Sequence, residues 1–324
     1  MILRNYNPKH SIDMKQYIKH ITLAAIILMG FTACEDKLNS ESIFEDVPLL
    51  DSTSATYEFD KYLYENYQLK YNIAFQYKLD DESTDMNYNL VPVGYEQAQI
   101  VAHAIKYLWL DVYDKQQGPE FLKFYAPRII NVIGCPAINA AQGTETLGVA
   151  EGGVKITLYN MNDIDLNNMP WLNKYIFHVM HHEFSHILHQ TKSFPKEYEQ
   201  ISAGLYDSQS WQYHSDAEAY SLGFVTPYSM SEAHEDFVEV ISSYITDTRE
   251  TWQKRGITMA ADHTHIEAVD EEQEGTDVII YKINMCKDWL LEKYDYELDS
   301  LRAEVQRRQD ALTYDIVMND AYDK

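Results

Sequence analysis

Residues 182–186 read His-Glu-Phe-Ser-His, an H-E-x-x-H pattern that constrains this chain more than any other feature. Residues four apart on an α-helix lie one above the other on the same face, so His182 and His186 can direct their imidazoles at one point. Two such imidazoles and a third ligand hold a hydrolytic Zn²⁺ and leave one position for water. The pattern therefore predicts a helix that carries a catalytic zinc site.

The residues around the motif favour a buried helix. The segment from Trp171 to Gln190 contains no Gly or Pro, and Pro170 precedes it, where a helix start tolerates proline. A wide apolar face is typical of a helix in a protein core. In this segment such a face is formed by Leu172, Ile176, Val179, Met180, Phe184, Ile187 and Leu188. The alternative interpretation is a core helix whose histidines are only hydrogen-bonded.

The motif also predicts a chemistry. A catalytic zinc lowers the pKa of its bound water to about 7, so hydroxide is present at neutral pH. Glu183 follows the first histidine directly and can reach that water. It is the predicted general base, which takes the water proton and passes it to the leaving group.

The third zinc ligand must come from outside the motif. The extended pattern H-E-x-x-H-x-x-G-x-x-H is excluded, because Lys192 stands where its last His would be. A later predicted helix, Ser231–Thr246, carries Glu235 and Glu239 four residues apart among apolar residues. We predict Glu235 as the ligand and Glu239 as the acceptor of a hydrogen bond from a zinc-bound histidine. Glu218 is the rival ligand, and a solvated helix face is the alternative for the other two glutamates.

The sequence Glu-Asp-Phe-Val-Glu at 235–239, with Tyr228 seven residues before its first Glu, resembles the active-site pattern of glutamate-zincins of the anthrax lethal factor type. In those peptidases the first Glu of E-x-F-x-E binds zinc, and the Tyr points at the metal and stabilises the oxyanion. The resemblance implies the same two roles for Glu235 and Tyr228.

Between Tyr57 and Tyr244 the chain is also similar to the zinc-binding metallopeptidase lipoproteins of Bacteroidota, called substrate-import-associated zinc metallohydrolase lipoproteins. The family usually has Ala where this chain has Val238. The similarity rests on residues 59–67, 70–73, 181–189, 223–228 and 234–239. It implies one Zn²⁺, a peptide or protein substrate, and a TonB-dependent nutrient import system as a partner.

The expected fold is α+β, with a zincin-like core in which a small mixed sheet packs on the active-site helix. We predict a catalytic domain at 53–250 and a helical C-terminal annex at 251–324, packed on the core. Residues 154–159 form a short β-branched strand just before the zinc helix. By analogy with other zincins, we expect it to be an edge strand that pairs with extended substrate.

The amino terminus resembles that of a bacterial lipoprotein, with Met14 as the better start. Two lysines precede an apolar stretch, residues 21–31, which is too short to span a bilayer. Thr-Ala-Cys ends it like a lipoprotein processing site, with Cys34 as the acylated residue. We predict a signal peptide at 1–33 and an acidic tether at 34–52. An ordinary cleaved signal with an incidental Cys is the alternative.

The composition limits the partners. The formal charge is −25, from 26 basic and 51 acidic residues, and such a surface repels nucleic acid and anionic lipid headgroups. It suits an outer-membrane lipoprotein that faces the exterior and contacts the membrane only through its lipid. The sequence does not show whether Cys135 and Cys286 form a disulfide.

These features favour a surface-anchored zinc metallohydrolase associated with nutrient import, with a peptidase as the leading hypothesis. One alternative is a non-catalytic substrate-binding lipoprotein that retains a zincin fold. The presence of all the expected catalytic elements argues against it. Another is a zinc amidase that acts on a non-peptide substrate, and no residue separates that activity from a peptidase.

Overall fold

Helices surround a small β-sheet in the computed structural model of this chain. The model describes residues 50–79, 88–139, 144–151, 153–263, 266–268 and 274–319. The described residues from Thr53 onward belong to one compact unit. The predicted signal peptide, Cys34 and all but the last residues of the predicted tether lie outside the described residues.

The strands are short and lie mainly in the first half of this unit. In chain order the described strands are β1 Ala74–Gln76, β2 Ile129–Val132, β3 Ala137–Asn139, β4 Thr144–Thr146, β5 Gly148–Glu151, β6 Lys155–Leu158, β7 Ile257–Met259 and β8 Ile266–Ala268. The main sheet has the order β1-β2-β6-β5, while β3-β4 and β7-β8 form separate two-stranded sheets.

The main sheet is mixed. Strands β1, β2 and β6 are parallel, and β5 runs antiparallel to β6. Buried apolar residues occupy the central strands, such as Ile130 in β2 and Ile156 in β6, as expected where both faces of a sheet are covered. The prediction that residues 154–159 form an edge strand is wrong, because β5 pairs with β6 along its whole length. The edge strands are β1 and β5, and the short Gly-Val-Ala-Glu sequence of β5 has no recognisable periodicity.

The helices give the structure most of its mass, and the expected α+β class is confirmed. The described α-helices are α1 Tyr57–Leu63, α2 Tyr95–Ile105, α3 Asp111–Gln117, α4 Pro119–Tyr125, α5 Met169–Leu172, α6 His178–Thr191, α7 Tyr198–Ile201, α8 Asp216–Ser221, α9 Ala233–Thr246, α10 Arg249–Lys254, α11 Glu274–Tyr294, α12 Leu298–Asp310 and α13 Tyr314–Met318. Among the described residues, every helix is too short or too polar to cross a bilayer.

The core lies where α6 and α9 pack against each other, and α11 and α12 also pack on α9. Large buried side chains such as Phe237 and Trp289 fill the space between these helices. The C-terminal helices therefore form part of the support of α9, while the predicted domain boundary at residue 250 stays a prediction. Cys135 and Cys286 are both free thiols.

Candidate metal centre

Helix α6 places the two motif histidines. A continuous helical run begins at Met169, where the Asn168 side chain accepts a hydrogen bond from the Trp171 backbone N–H. It passes through a π-helical turn at Asn173–Phe177 and continues as α6. Such turns are frequent near functional sites. His182 and His186 follow on the face of α6 that packs toward α9.

Helix α9 places the two glutamates. Its first turn contains Glu235, where the positive end of the helix dipole favours a carboxylate. Glu239 lies one turn later and is only 4% exposed. The adjacent apolar residues Phe237 and Val238 are fully buried and fix the rotation of the helix. Both carboxylates therefore point toward α6.

Three ligand atoms converge between the helices. His182 Nε2 lies 3.2 Å from His186 Nε2, and Glu235 Oε2 lies 3.1 Å from the first and 3.3 Å from the second. Ligands at 2.0–2.2 Å from a tetrahedral zinc are about 3.3–3.6 Å from each other. Two imidazoles and one carboxylate at this spacing fit a zinc ion, and the predicted residues are brought together as a group.

Glu239 supports this group without joining it. Its Oε1 lies 2.9 Å from His182 Nδ1 and 2.7 Å from His178 Nε2, and its Oε2 accepts from the Thr226 hydroxyl at 2.7 Å. When His182 Nδ1 donates to Glu239, the lone pair on Nε2 is left facing the other two ligand atoms. The structure thus places Glu239 where the sequence predicted an acceptor for a ligand histidine.

The electrostatics of the group favour positive charge. Burial lowers the pKa of His182, but hydrogen bonds to Glu235 and Glu239 outweigh it and raise the pKa to about 10. Burial raises the pKa of Glu235, yet its bonds to His182 and His186 hold that pKa well below the ordinary value. One buried and one partly buried carboxylate beside two imidazoles hold a proton here in the absence of metal, and a divalent cation satisfies them better.

His186 has a different partner from His182. Its Nδ1 lies 3.0 Å from Nε2 of His189, one turn further along α6. Burial and the neighbouring His186 and His234 lower the pKa of His189 to about 4, so this imidazole is neutral. In the tautomer that leaves Nε2 of His186 free for a metal, its Nδ1–H donates to His189.

Tyr228 approaches the group from a short 3₁₀ turn, Tyr228–Met230. Its ring centroid lies 5.9 Å from that of His182 and 4.9 Å from that of Trp211, which packs edge-on against it. Burial and the carboxylates of Glu235 and Glu239 raise the pKa of Tyr228. The hydroxyl therefore stays protonated and able to donate. Tyr228 as a whole is 36% exposed.

The remaining predicted residues are also located. Glu183 is partly buried on α6, where it directly follows His182, and its charge contributes to the raised pKa of both His182 and Tyr228. The rival ligand Glu218 lies elsewhere: it closes a capping box with Ser215 at the start of α8, and its side chain is 60% exposed. Its carboxylate is therefore engaged in starting a helix.

Two contacts of Glu239, with His178 and Thr226, were not predicted from the sequence. His178 precedes His182 by one helical turn, so its position on the same face was readable, although its acid partner was not. Thr226 reaches Glu239 across a turn in which Thr226 and Ser229 bond to each other. No periodic signal marks such a turn.

The fold and these residues define an α+β protein with a candidate metal site, formed by two histidines and a glutamate between two packed helices. Residues 52–299 match a family model described as "Putative zinc-binding metallo-peptidase". This chain belongs to that family.

A solved structure gives the same result. The crystal structure of a putative zinc-binding metallo-peptidase from Bacteroides caccae is similar to this chain, with 40% sequence identity and a TM-score of 0.65. The match covers 78% of this chain and 92% of that one. None of the curated proteins with which the chain was compared matches it.

Proposed function

We propose that this chain is a zinc-dependent peptidase in which His182, His186 and Glu235 hold the metal. The observation that carries the proposal is the convergence of three ligand atoms at 3.1–3.3 Å, with Glu183 on the same helix. Membership of a zinc-binding metallopeptidase family supports it.

The catalytic roles follow from the positions of the side chains. When bound, zinc supplies Lewis acidity that polarises a carbonyl and lowers the pKa of water to about 7. Glu183 takes a proton from the attacking water and delivers it to the leaving nitrogen. The Tyr228 hydroxyl donates a hydrogen bond to the carbonyl oxygen as negative charge develops there. Glu239 keeps His182 in the tautomer that binds metal.

Strand β5 supplies a place for an extended peptide. It is an outer strand of the main sheet, so its second edge has no strand partner among the described residues. A Cβ added at Gly148 would meet Val179 Cγ1 at 2.2 Å, so this strand passes close to α6 one turn before the motif. A substrate that pairs with β5 by main-chain hydrogen bonds would run past the metal centre.

We further propose that the protein is an outer-membrane lipoprotein anchored through Cys34 and associated with nutrient import. The lysines, apolar stretch and Thr-Ala-Cys ending at residues 14–34 support this location. The substitution Cys34→Ser should move the protein from the membrane fraction to the soluble fraction. A variant that stays in the membrane fraction would contradict anchoring through this residue.

The peptidase activity is tested by mass-spectrometric profiling of a mixed peptide library. We expect new termini with the purified protein, none after treatment with a chelator, and recovery when zinc is restored. The matched control is Glu183→Gln, which keeps the metal ligands and removes the base. Zinc binding without any cleaved peptide would contradict the peptidase and favour a zinc amidase or a binding protein.

A further inference from the structure

The segment Gly223–Tyr228 brings Tyr228 to the metal centre, and its residues before Tyr228 belong to no helix or strand. We propose that Arg255 and Lys282 are positioning residues that set the place of Tyr228 by holding two carbonyls of this segment. This inference rests on the proposed function of Tyr228, and it assigns a role at the active site to residues that lie after position 250.

Lys282 holds the start of the segment. It lies on α11 with no exposed surface, and its Nζ donates to the Gly223 carbonyl at 2.8 Å. The same Nζ pairs with Asp236 Oδ2 at 2.7 Å, and Asp236 is also fully buried. Asp236 directly follows the ligand Glu235 on α9. One ammonium group therefore connects the start of the segment to the first turn of the ligand helix.

Arg255 repeats this arrangement two residues further along. It is 3% exposed, and its Nε donates to the Val225 carbonyl at 2.9 Å. Its Nη1 pairs with Asp247 Oδ2 at 2.7 Å, immediately after the last residue of α9. The guanidinium also lies 4.4 Å from the centre of the Trp252 ring, which restricts its position further.

The two cations thus hold alternate carbonyls of one segment and pair with acids at opposite ends of α9. Gly223 adds a steric restriction: its φ is +85°, and an added Cβ would meet Val278 Cγ1 of α11 at 2.4 Å. Near the other end, the Thr226 hydroxyl donates to Glu239. The segment is consequently fixed relative to α9, and Tyr228 is fixed relative to Glu235.

Arg255 and Lys282 should affect the position of Tyr228 and not the binding of the metal. Arg255 and Lys282 make their contacts to carbonyls and to acids outside the ligand group, so their removal should move Tyr228 and leave the three ligands in place. A displacement near 1 Å lowers kcat by as much as about 10²-fold. A purely structural role would lower stability without a specific change at residue 228.

The test uses 3-fluorotyrosine incorporated at position 228 and ¹⁹F NMR of the purified zinc-loaded protein, together with zinc affinity and steady-state kinetics. Arg255→Met is the first variant, because its partner Asp247 is partly exposed and can be solvated when the guanidinium is removed. The second variant combines Lys282→Met with Asp236→Asn, so that no buried carboxylate is left without its cation. Arg255→Lys keeps the charge but lacks the fork that reaches both partners.

Arg308→Met is the matched control. Arg308 is also a buried cation that pairs with an acid, Glu304, and donates to a carbonyl, that of Tyr107. It contacts neither the Gly223–Tyr228 segment nor α9 through these bonds. We expect a single unchanged ¹⁹F resonance in this variant, even where its melting temperature falls.

In Arg255→Met and in the double variant we expect a shifted or broadened ¹⁹F resonance, a kcat lowered by about 10- to 100-fold, and unchanged zinc affinity. Arg255→Lys should give an intermediate resonance. A wild-type resonance in Arg255→Met and the double variant, or the same change in Arg308→Met, would overturn the proposal. A shifted resonance with wild-type kcat would support the positioning role and overturn the proposed role of the Tyr228 hydroxyl. Failure of the positioning role and failure of the hydroxyl's role therefore give different results.

Discussion

The three proposed metal ligands and Tyr228 lie at one site, but different kinds of structure hold them. His182 and His186 are separated by one turn of α6, and Glu235 lies on α9, which packs along it. Regular helix geometry and apolar packing fix these three residues. Tyr228 lies at the end of an irregular segment fixed by individual hydrogen bonds from distant side chains. The first arrangement depends mainly on how two helices pack, whereas the second depends on each of its bonds.

This difference predicts two classes of variant. Changes at the ligands should remove metal, and with it all activity. Changes that affect Tyr228 or Glu183 should leave the metal in place and act on the reaction itself.

The largest effect is expected from loss of a ligand. The purified protein should carry close to one zinc, and His186→Ala or Glu235→Ala should remove most of it, because two remaining ligands bind weakly. Glu218→Ala is the control, since its carboxylate caps α8. Zinc content by atomic absorption checks this. A Glu218→Ala variant that loses more zinc than Glu235→Ala would reassign the third ligand.

The base should matter for the reaction and not for metal binding. Glu183→Gln keeps the size of the side chain and removes its ability to take a proton, so kcat should fall by about 10²–10⁴-fold. Zinc content and the melting temperature should stay at wild-type values. Steady-state kinetics on a peptide identified by the library profile provide the measurement. A kcat within a few-fold of wild type would contradict the assigned base.

Tyr228 provides the direct comparison with the ligands. Tyr228→Phe keeps the ring against Trp211 and deletes the hydroxyl. The donated hydrogen bond strengthens as charge develops on the oxyanion, so its loss should lower kcat by about 10²–10³-fold with little change in zinc content. Measurement of kcat, KM and zinc in this one variant is sufficient. An unchanged kcat would show that the residue only packs beside α9.

The parts of the site on regular helices could be predicted from the sequence better than the parts on irregular segments. His182 with His186, and Glu235 with Glu239, could each be placed on one helix face because a helix repeats its faces every turn. Spacing did not decide between Glu235 and Glu218 as the third ligand. The α+β class followed from the predicted helices and short strands together with the family resemblance. Glu183 was readable from its place in the motif.

The parts without periodicity were not predictable from residues alone. Tyr228 was found only through a resemblance, because no spacing rule connects an irregular segment to a helix. The contacts of Arg255 and Lys282 depend on how distant elements pack. Strand β5 was missed because four residues with a Gly start carry too little signal, and this omission led to the wrong edge strand.

The last comparison is between the two ligand histidines, whose supports differ in charge. His182 Nδ1 bonds to the buried carboxylate of Glu239, whereas His186 Nδ1 bonds to the neutral imidazole of His189. A bond to a charged acceptor is about twice as strong as one between neutral groups. Loss of a supporting group of this kind lowers metal affinity by about 10–100-fold.

We therefore expect Glu239→Gln to weaken zinc binding by about 10–100-fold, and His189→Leu to weaken it by less. The carboxylate also bonds to His178 and Thr226, so its replacement disturbs both helices and the segment that carries Tyr228. His189 lies on the same helix as His186, and the His186 side chain is 13% exposed against 9% for His182, so water has better access to replace the lost acceptor. Competition with a chromogenic chelator measures both affinities. The reverse order would mean that the neutral imidazole is the more important support, and that the charge of Glu239 serves mainly to hold His178 and Thr226.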